Sequence, residues 1–272
     1  MTLFHDTIQA AGSVTANVDD RVDLGDITLP TGDWIITRVW AHGMIAGAVT
    51  AVMGLQGYIQ IESQSCQIAP CQFPLEPITG PLGTGETYGK AAEPEKYVVN
   101  CPAKGGTILN VYHVCDATIT TTTVEIMVTV EYAEASPFPG DQLHMKMGEP
   151  SVAGSVSDGG VVSLTDIEIE AKQLMAVVVY CAQTTIVTAT GIMLMFEMKS
   201  DDFVGGGPQR WGLNTQRGGV ATNCASSGTE SFRVEVDASF RKPGQKQTVS
   251  AEVTAYDAVS TGPICNWCLI YA

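Results

Sequence analysis

The chain has 272 residues, of which only 16% are charged, and acidic residues outnumber basic ones 29 to 14 for a formal charge of −15. That charge repels a phosphate backbone and argues against direct nucleic-acid binding. The length suits two domains, and the wealth of Val, Ile, Thr and Gly favours short strands over amphipathic helices.

The opening Met1-Thr2-Leu3-Phe4-His5-Asp6 has neither a basic start nor a sustained apolar stretch, so cytoplasmic synthesis without a secretory signal is expected. Residues 1–20 read as an arm or a first edge strand. Strands are predicted over Val22–Leu29, Trp34–Ala41 and Ala48–Ile61, and the turn Pro30-Thr31-Gly32-Asp33 reads as a hairpin between the first two. The apolar run Met44–Leu55 is broken by Gly47 and Gly54 and is too short for a spanning helix, so membrane insertion is not expected.

From Gln64 to Asn100 the prolines 70, 74, 77, 81 and 94 predict a long contact-making loop. Strands over Thr107–Cys115 and Val124–Ala133 close a first domain, residues 1–135, and Glu134–Ser157 reads as Pro- and Gly-bearing linker, giving a linker over residues 136–157. The second domain, residues 158–272, is predicted to contain strands Val161–Ile169, Leu174–Cys181, Ile186–Met198, Phe232–Phe240, Thr248–Tyr256 and Ile264–Tyr271, with a counterpart loop over Asp201–Ser227.

The halves resemble each other. DITLPTGDWIITRVWAHG from Asp26 aligns with DIEIEAKQLMAVVVYCAQ from Asp166, which sets Trp40 against Tyr180. The fold class that follows is all-β, two tandem antiparallel sandwiches of jelly-roll type related by internal duplication.

No GxSxG elbow, HExxH helix, P-loop or strand-following GxGxxG occurs, and His5, His42, His113 and His144 have no partner at ligand spacing. An enzyme is not expected, nor a cofactor. Asp19, Asp20, Asp23 and Asp26 form an acidic cluster that is a candidate calcium site, although acidic turns are usually just solvated.

Cysteines 66, 71, 101, 115, 265 and 268 are candidate disulfide or thiol pairs, with Cys66 and Cys71 bracketing a turn and Cys101 and Cys115 flanking a hairpin. Cys265-Asn266-Trp267-Cys268 is half of a zinc-ribbon pattern, for which free thiols or a disulfide are the plainer reading. The loops nominate Trp211, Arg210, Arg217, Phe73 and Tyr88 as interface residues.

Duplicated β modules opening with an LP-type turn, as in ITLPTGDWIITRVW, resemble the double jelly-roll proteins of viral capsids and capsid decorations. That resemblance implies a virion structural protein, a shell subunit or a turret, made in the host cytoplasm and partnered by copies of itself, as a trimer, and by other virion proteins. An extracellular carbohydrate-binding or adhesin-like pair of sandwiches is the competing class, since sandwich folds host both.

Overall fold

A computed structural model of the chain describes residues 3–16, 20–46, 57–79, 94–114, 119–136, 140–149, 151–152, 156–183, 192–215, 232–256 and 263–272. Among these residues every regular element is a strand. In the first half they are β1 (Leu3–Ala16), β2 (Arg21–Thr28), β3 (Asp33–Ala46), β4 (Tyr58–Glu62), β5 (Gln72–Pro74), β6 (Glu76–Thr79), β7 (Tyr97–Lys104), β8 (Ile108–Val114) and β9 (Ile119–Glu134). In the second half they are β10 (His144–Met147), β11 (Ser151–Val152), β12 (Val161–Ser163), β13 (Ile167–Glu170), β14 (Gln173–Gln183), β15 (Ile192–Lys199), β16 (Gln209–Thr215), β17 (Phe232–Ser239), β18 (Lys246–Ala255) and β19 (Pro263–Tyr271).

Four sheets result. The first half pairs β1-β9-β3-β7 in one and β2-β8-β4-β5 in the other, with β6 added parallel to β3. The second half pairs β10-β19-β14-β17 in one, with β11 also on β19, and β12-β18-β15-β16 in the other, with β13 also on β18. With β6 set aside and the split strands β10/β11 and β12/β13 each taken as one, both halves have the orders 1-8-3-6 and 2-7-4-5. This is the wiring of an eight-stranded jelly roll, written twice.

The duplication extends to a defect. A register shift between Ile36 and Arg38 in β3 lies opposite β7, and one between Leu174 and Ala176 in β14 lies opposite β17. At these bulges stand Asn100 (φ 52°) and Asp237 (φ 50°), the only non-glycine residues with positive φ among those described. Asn and Asp tolerate the left-handed region best among residues with a Cβ, and the bulge needs that conformation in both copies.

Wiring corrects several sequence expectations. The turn at Pro30–Asp33 is a corner between sheets, because β2 pairs with β8 while β3 pairs with β7 and β9. It is held by the Trp34 indole N–H donating to the Pro30 carbonyl at 2.8 Å and the Gly105 amide to the Gly32 carbonyl at 2.6 Å. β7 and β8 likewise belong to different sheets, so the described residues 101–114 form no hairpin. The predicted loop Gln64–Asn100 contains β5, β6 and the start of β7, and the loop Asp201–Ser227 contains β16. The stretch read as linker carries β10 and β11, which pair with β19.

Two apolar cores form, and one of them is shared. The second sandwich closes on Leu174, Val177, Val179, Phe196, Trp267 and Leu269 with their neighbours. The first packs Ile36, Val39, Ile59, Phe73, Leu109 and Val130, and it continues into Met145, Met147, Ala176, Val178, Cys268 and Ile270 of the second half. The sheet β10-β19-β14 is thus apolar on both faces, one facing its own sandwich and the other facing the first. Burying a Val, Ile or Met side chain stabilises by roughly 1.5–3 kcal/mol, so the four of these positions that carry Met, Val or Ile already tie the halves together by an amount comparable to the stability of a whole domain.

Ile270 is 2% exposed although it points away from its own sandwich. Ile270→Ala is expected to cost about 2–5 kcal/mol in one cooperative unfolding transition of the intact chain followed by denaturant titration. A loss under about 1 kcal/mol, or two separate transitions, contradicts the shared core.

Candidate functional site

The bulges fix which residues of the two halves correspond. Ile36 pairs with Tyr132 as Leu174 pairs with Tyr271, and counting along each strand aligns the rest. His5, Thr7, Arg38, Trp40, Thr129 and Glu131 then occupy in the first sandwich the places of Met145, Met147, Ala176, Val178, Cys268 and Ile270 in the second. One set is apolar and buried against the other half of the chain; its counterpart is polar.

Trp40 therefore corresponds to Val178, not to Tyr180. The Asp26 and Asp166 segments do correspond, Ile27 pairing with Leu109 as Ile167 pairs with Val249. The corner that follows is two residues shorter in the second copy, and an ungapped sequence alignment slips there.

On the polar face the Glu131 side chain is 6% exposed and well satisfied. Its Oε1 accepts from the Thr37 hydroxyl at 2.6 Å and lies 3.6 Å from Arg38 Nη1, while its Oε2 lies 3.3 Å from His5 Nε2. The His5 ring meets Trp40 edge-on at 5.8 Å, and Lys96 Nζ sits 5.2 Å over the Trp40 ring. The hydroxyls of Thr7 and Thr129 are 3.1 Å apart. The face offers a half-buried aromatic plane framed by fixed donors and acceptors, a pattern suited to recognition.

The surface that receives the apolar counterpart is also defined. The Gln72 carbonyl accepts from the Cys268 thiol at 3.4 Å, and Gln72 Oε1 accepts from the Met147 amide at 3.1 Å. The Pro70 carbonyl accepts from the Met145 amide at 3.2 Å, and Cys71 forms an isolated parallel bridge with Met145. Arg233 reaches Glu95 at 2.7 Å. The docking edge is β5 with the segment before it.

In the second sandwich β16 takes the place of β5 at the sheet edge. Gln60 pairs with Gln72 and Ile59 with Phe73, as Glu197 pairs with Arg210 and Phe196 with Trp211. Arg210 stands where Gln72 stands and Trp211 where Phe73 stands. Phe73, expected at an interface, is wholly buried with its ring 5.4 Å from Tyr97. Trp211 is partly buried and stacks on Phe196 at 5.9 Å, whereas Arg210 is exposed and pairs with Glu197 at 2.5 Å.

Tyr88, Arg217, Asp19 and Cys115 lie outside the described residues. Asp20, Asp23 and Asp26 are exposed, with Asp23 accepting from the Gly25 amide at 2.8 Å and Asp26 from Asn110 Nδ2 at 2.7 Å. No group of three His, Cys, Asp or Glu among the described residues could hold a metal ion. Cys265 and Cys268 point to opposite faces of β19, one into each core, so CNWC on a strand cannot act as a chelating pair. Sequence reasoning missed the face of His5, Trp40 and Glu131 because its meaning comes only from the strand registers.

A cleft of about 470 Å³ at the junction is lined by Pro70, His144, Lys146, Glu168, Ile169, Glu170, Lys246 and Tyr271. Its charges mostly answer each other: Lys246 meets Glu168 at 2.7 Å, and Lys146 Nζ donates to the Glu168 carbonyl at 2.8 Å. Burial pushes His144 below the usual imidazole value, and His144 Nδ1 is buried with no hydrogen-bond partner among the described residues.

No family model and no curated protein matches the chain. Among the solved structures that are similar, "Crystal Structure of the STIV MCP" matches over 100% of this chain and 96% of its own, with a TM-score of 0.49 and 9% sequence identity. The fold assignment rests on the strand registers of the chain itself.

The lowered His144 value has a definite sign. Below about 6.5 the unfolded chain binds a proton that the folded one resists, so stability is lost as pH falls through that value. His42 is lowered by burial too and contributes in the same sense. Thermal melts at pH 7 and pH 5 are expected to show acid destabilisation that is smaller in His144→Gln; an equal or larger pH dependence in that variant contradicts the assignment.

Proposed function

We propose that the chain is a virion structural protein, a shell subunit or shell-decorating protein, that assembles head to tail from copies of itself. The carrying observation is the repeated face. Met145, Met147, Ala176, Val178, Cys268 and Ile270 dock the second sandwich onto the β5 edge of the first. The same positions of the first sandwich, with Trp40 at their centre, are matched to the β16 edge of a neighbouring copy, where Arg210 replaces Gln72.

The chemistry of the two versions fits their timing. A face buried within the chain as it folds can be wholly apolar; one that must wait for a partner stays soluble by carrying polar groups around an aromatic anchor. The half-buried Trp40 ring on one surface and the exposed Arg210 guanidinium on the other can stack across the contact. A contact between unlike surfaces closes into a ring or runs into a filament, and a trimer is the closed form that the double jelly-roll resemblance implies.

The net charge of −15 supports partners that are protein and not nucleic acid. In this reading residues 1–135 and 158–272 are the two domains, and residues 136–157 are both connection and edge strands.

Light scattering on the intact chain is expected to give a mass that is a multiple of 28.8 kDa. Trp40→Glu and, separately, Arg210→Glu are each expected to weaken association by at least about 30-fold, a central interface residue being worth about 2 kcal/mol or more. Their circular dichroism spectra should match the parent. A parent that is monomeric at every concentration, or variants that assemble normally, would overturn the proposal, and glycan binding by that monomer would favour the adhesin class.

A further inference from the structure

The contact between the two halves has three main-chain anchors, and the internal repeat gives each a counterpart. The Leu143 amide donates to the Val99 carbonyl at 2.9 Å, the Met145 amide to the Pro70 carbonyl at 3.2 Å, and the Met147 amide to Gln72 Oε1 at 3.1 Å. By strand register Leu143 to Met147 stand where Leu3 to Thr7 stand in the first sandwich. Val99 corresponds to Val236 on β17, and the run Pro70-Cys71-Gln72 corresponds to Pro208-Gln209-Arg210. A proline opens both runs.

The counterpart surfaces lie open. Leu143 packs on the first core, whereas Leu3 is 45% and Phe4 37% exposed, and Pro208 and Arg210 are exposed as well. Phe4 belongs to an aromatic cluster, its ring lying edge-on to Trp34 at 5.3 Å and stacked on Tyr132 at 5.7 Å. In the second half the matching rings, His144 and Tyr271, are also 5.7 Å apart and share a cleft with Pro70.

We infer that β1 is the strand by which copies join: Leu3–Thr7 of one chain lies along Pro208–Arg210 and β17 of the next, with Pro208 against the Phe4 ring and Asp6 meeting Arg210. The inference rests on the head-to-tail reading and adds the strand, its direction and the segment that receives it. The direction is parallel to Pro208–Arg210, because Cys71 and Met145, at the places of Gln209 and His5, form a parallel bridge. An edge strand carries unpaired amides and carbonyls that a partner can satisfy, and aromatic surfaces receive proline because its ring is apolar and its backbone already fixed.

The side chains have changed together. Gln72 holds Gln60 through Nε2 at 3.1 Å and gives Oε1 to the Met147 amide. Arg210 holds Glu197 through Nε, but a guanidinium has donors only and cannot accept from Thr7, the counterpart of Met147. The Thr7 amide is taken instead by Asp6 Oδ1 at 2.9 Å, which sets a carboxylate where the cation arrives. The face of the guanidinium stays available to Trp40, since it stacks through its plane and bonds through its edge. An amide met by a neutral acceptor within the chain has become a carboxylate met by a cation between chains.

The test places a benzophenone-bearing residue at Leu3 of the intact chain, irradiates the assembled protein and maps the peptides joined between chains. Crosslinks are expected on Pro208–Arg210 or beside Val236. Separately, in sedimentation Asp6→Asn is expected to weaken association about 5–10-fold in the parent and less than about 2-fold when Arg210→Gln is already present. Assembled protein whose crosslinks fall elsewhere, or an Asp6→Asn loss that is equal in both backgrounds, would overturn this inference and leave head-to-tail assembly standing. A parent that never assembles would overturn both. The Asp6 comparison keeps Leu3 in place and decides the matter if the photoreactive variant does not fold.

Discussion

The structure depends on one sheet that is buried on both sides. Strands β14 and β19 send alternate residues into their own sandwich and the remainder into the first, so that Val177 and Val179 belong to one core and Val178 to the other. Neither half can be described without it: the first core is completed by six residues of the second half, and the second half without the first would expose them to water. The hydrophobic effect thereby decides both the fold of each sandwich and their mutual placement.

The two copies of the fold diverge where this constraint acts. At the docked face selection of side chains is free to be apolar, giving Met, Val, Ile, Ala and Cys. At the corresponding face of the first sandwich the same backbone positions carry His5, Thr7, Arg38, Trp40, Thr129 and Glu131, and the buried carboxylate is stabilised by Thr37, His5 and Arg38. A carboxylate held by several donors tolerates burial that an isolated one would not. Equal wiring with unequal surface chemistry is what a chain needs if one contact forms during folding and its counterpart forms between molecules.

Much of the fold was legible in the residues. Alternation gave β2, β3, β8, β9 and most strands of the second half within a few residues, and the unbroken run Ala176-Val177-Val178-Val179 differs from Arg38-Val39-Trp40-Ala41 in the way a strand buried on both faces differs from one buried on one. The Asp26 and Asp166 segments were matched correctly, but the two-residue difference at the next corner displaced Trp40 from its true counterpart, Val178. Proline-rich composition hid β5, β6 and β7, since prolines 74, 77 and 102 sit within those strands. The bulge residues Asn100 and Asp237 carry no glycine to mark them. The correspondence of the two sheet edges failed to declare itself for a plainer reason: which half of a chain covers which is settled by long-range packing, and Phe73 and Trp211 become the same position only after the strands are paired.

Mixing two defective variants addresses the proposed head-to-tail contact most directly. Trp40→Glu retains an intact β16 edge, and Arg210→Glu retains an intact His5, Trp40 and Glu131 face, so neither assembles alone but together they can form a single junction and then stop. Sedimentation of the mixture is predicted to show a one-to-one pair and nothing larger. A mixture that stays monomeric while the parent assembles, or one that restores the full parental assembly, would contradict a contact built from these two surfaces.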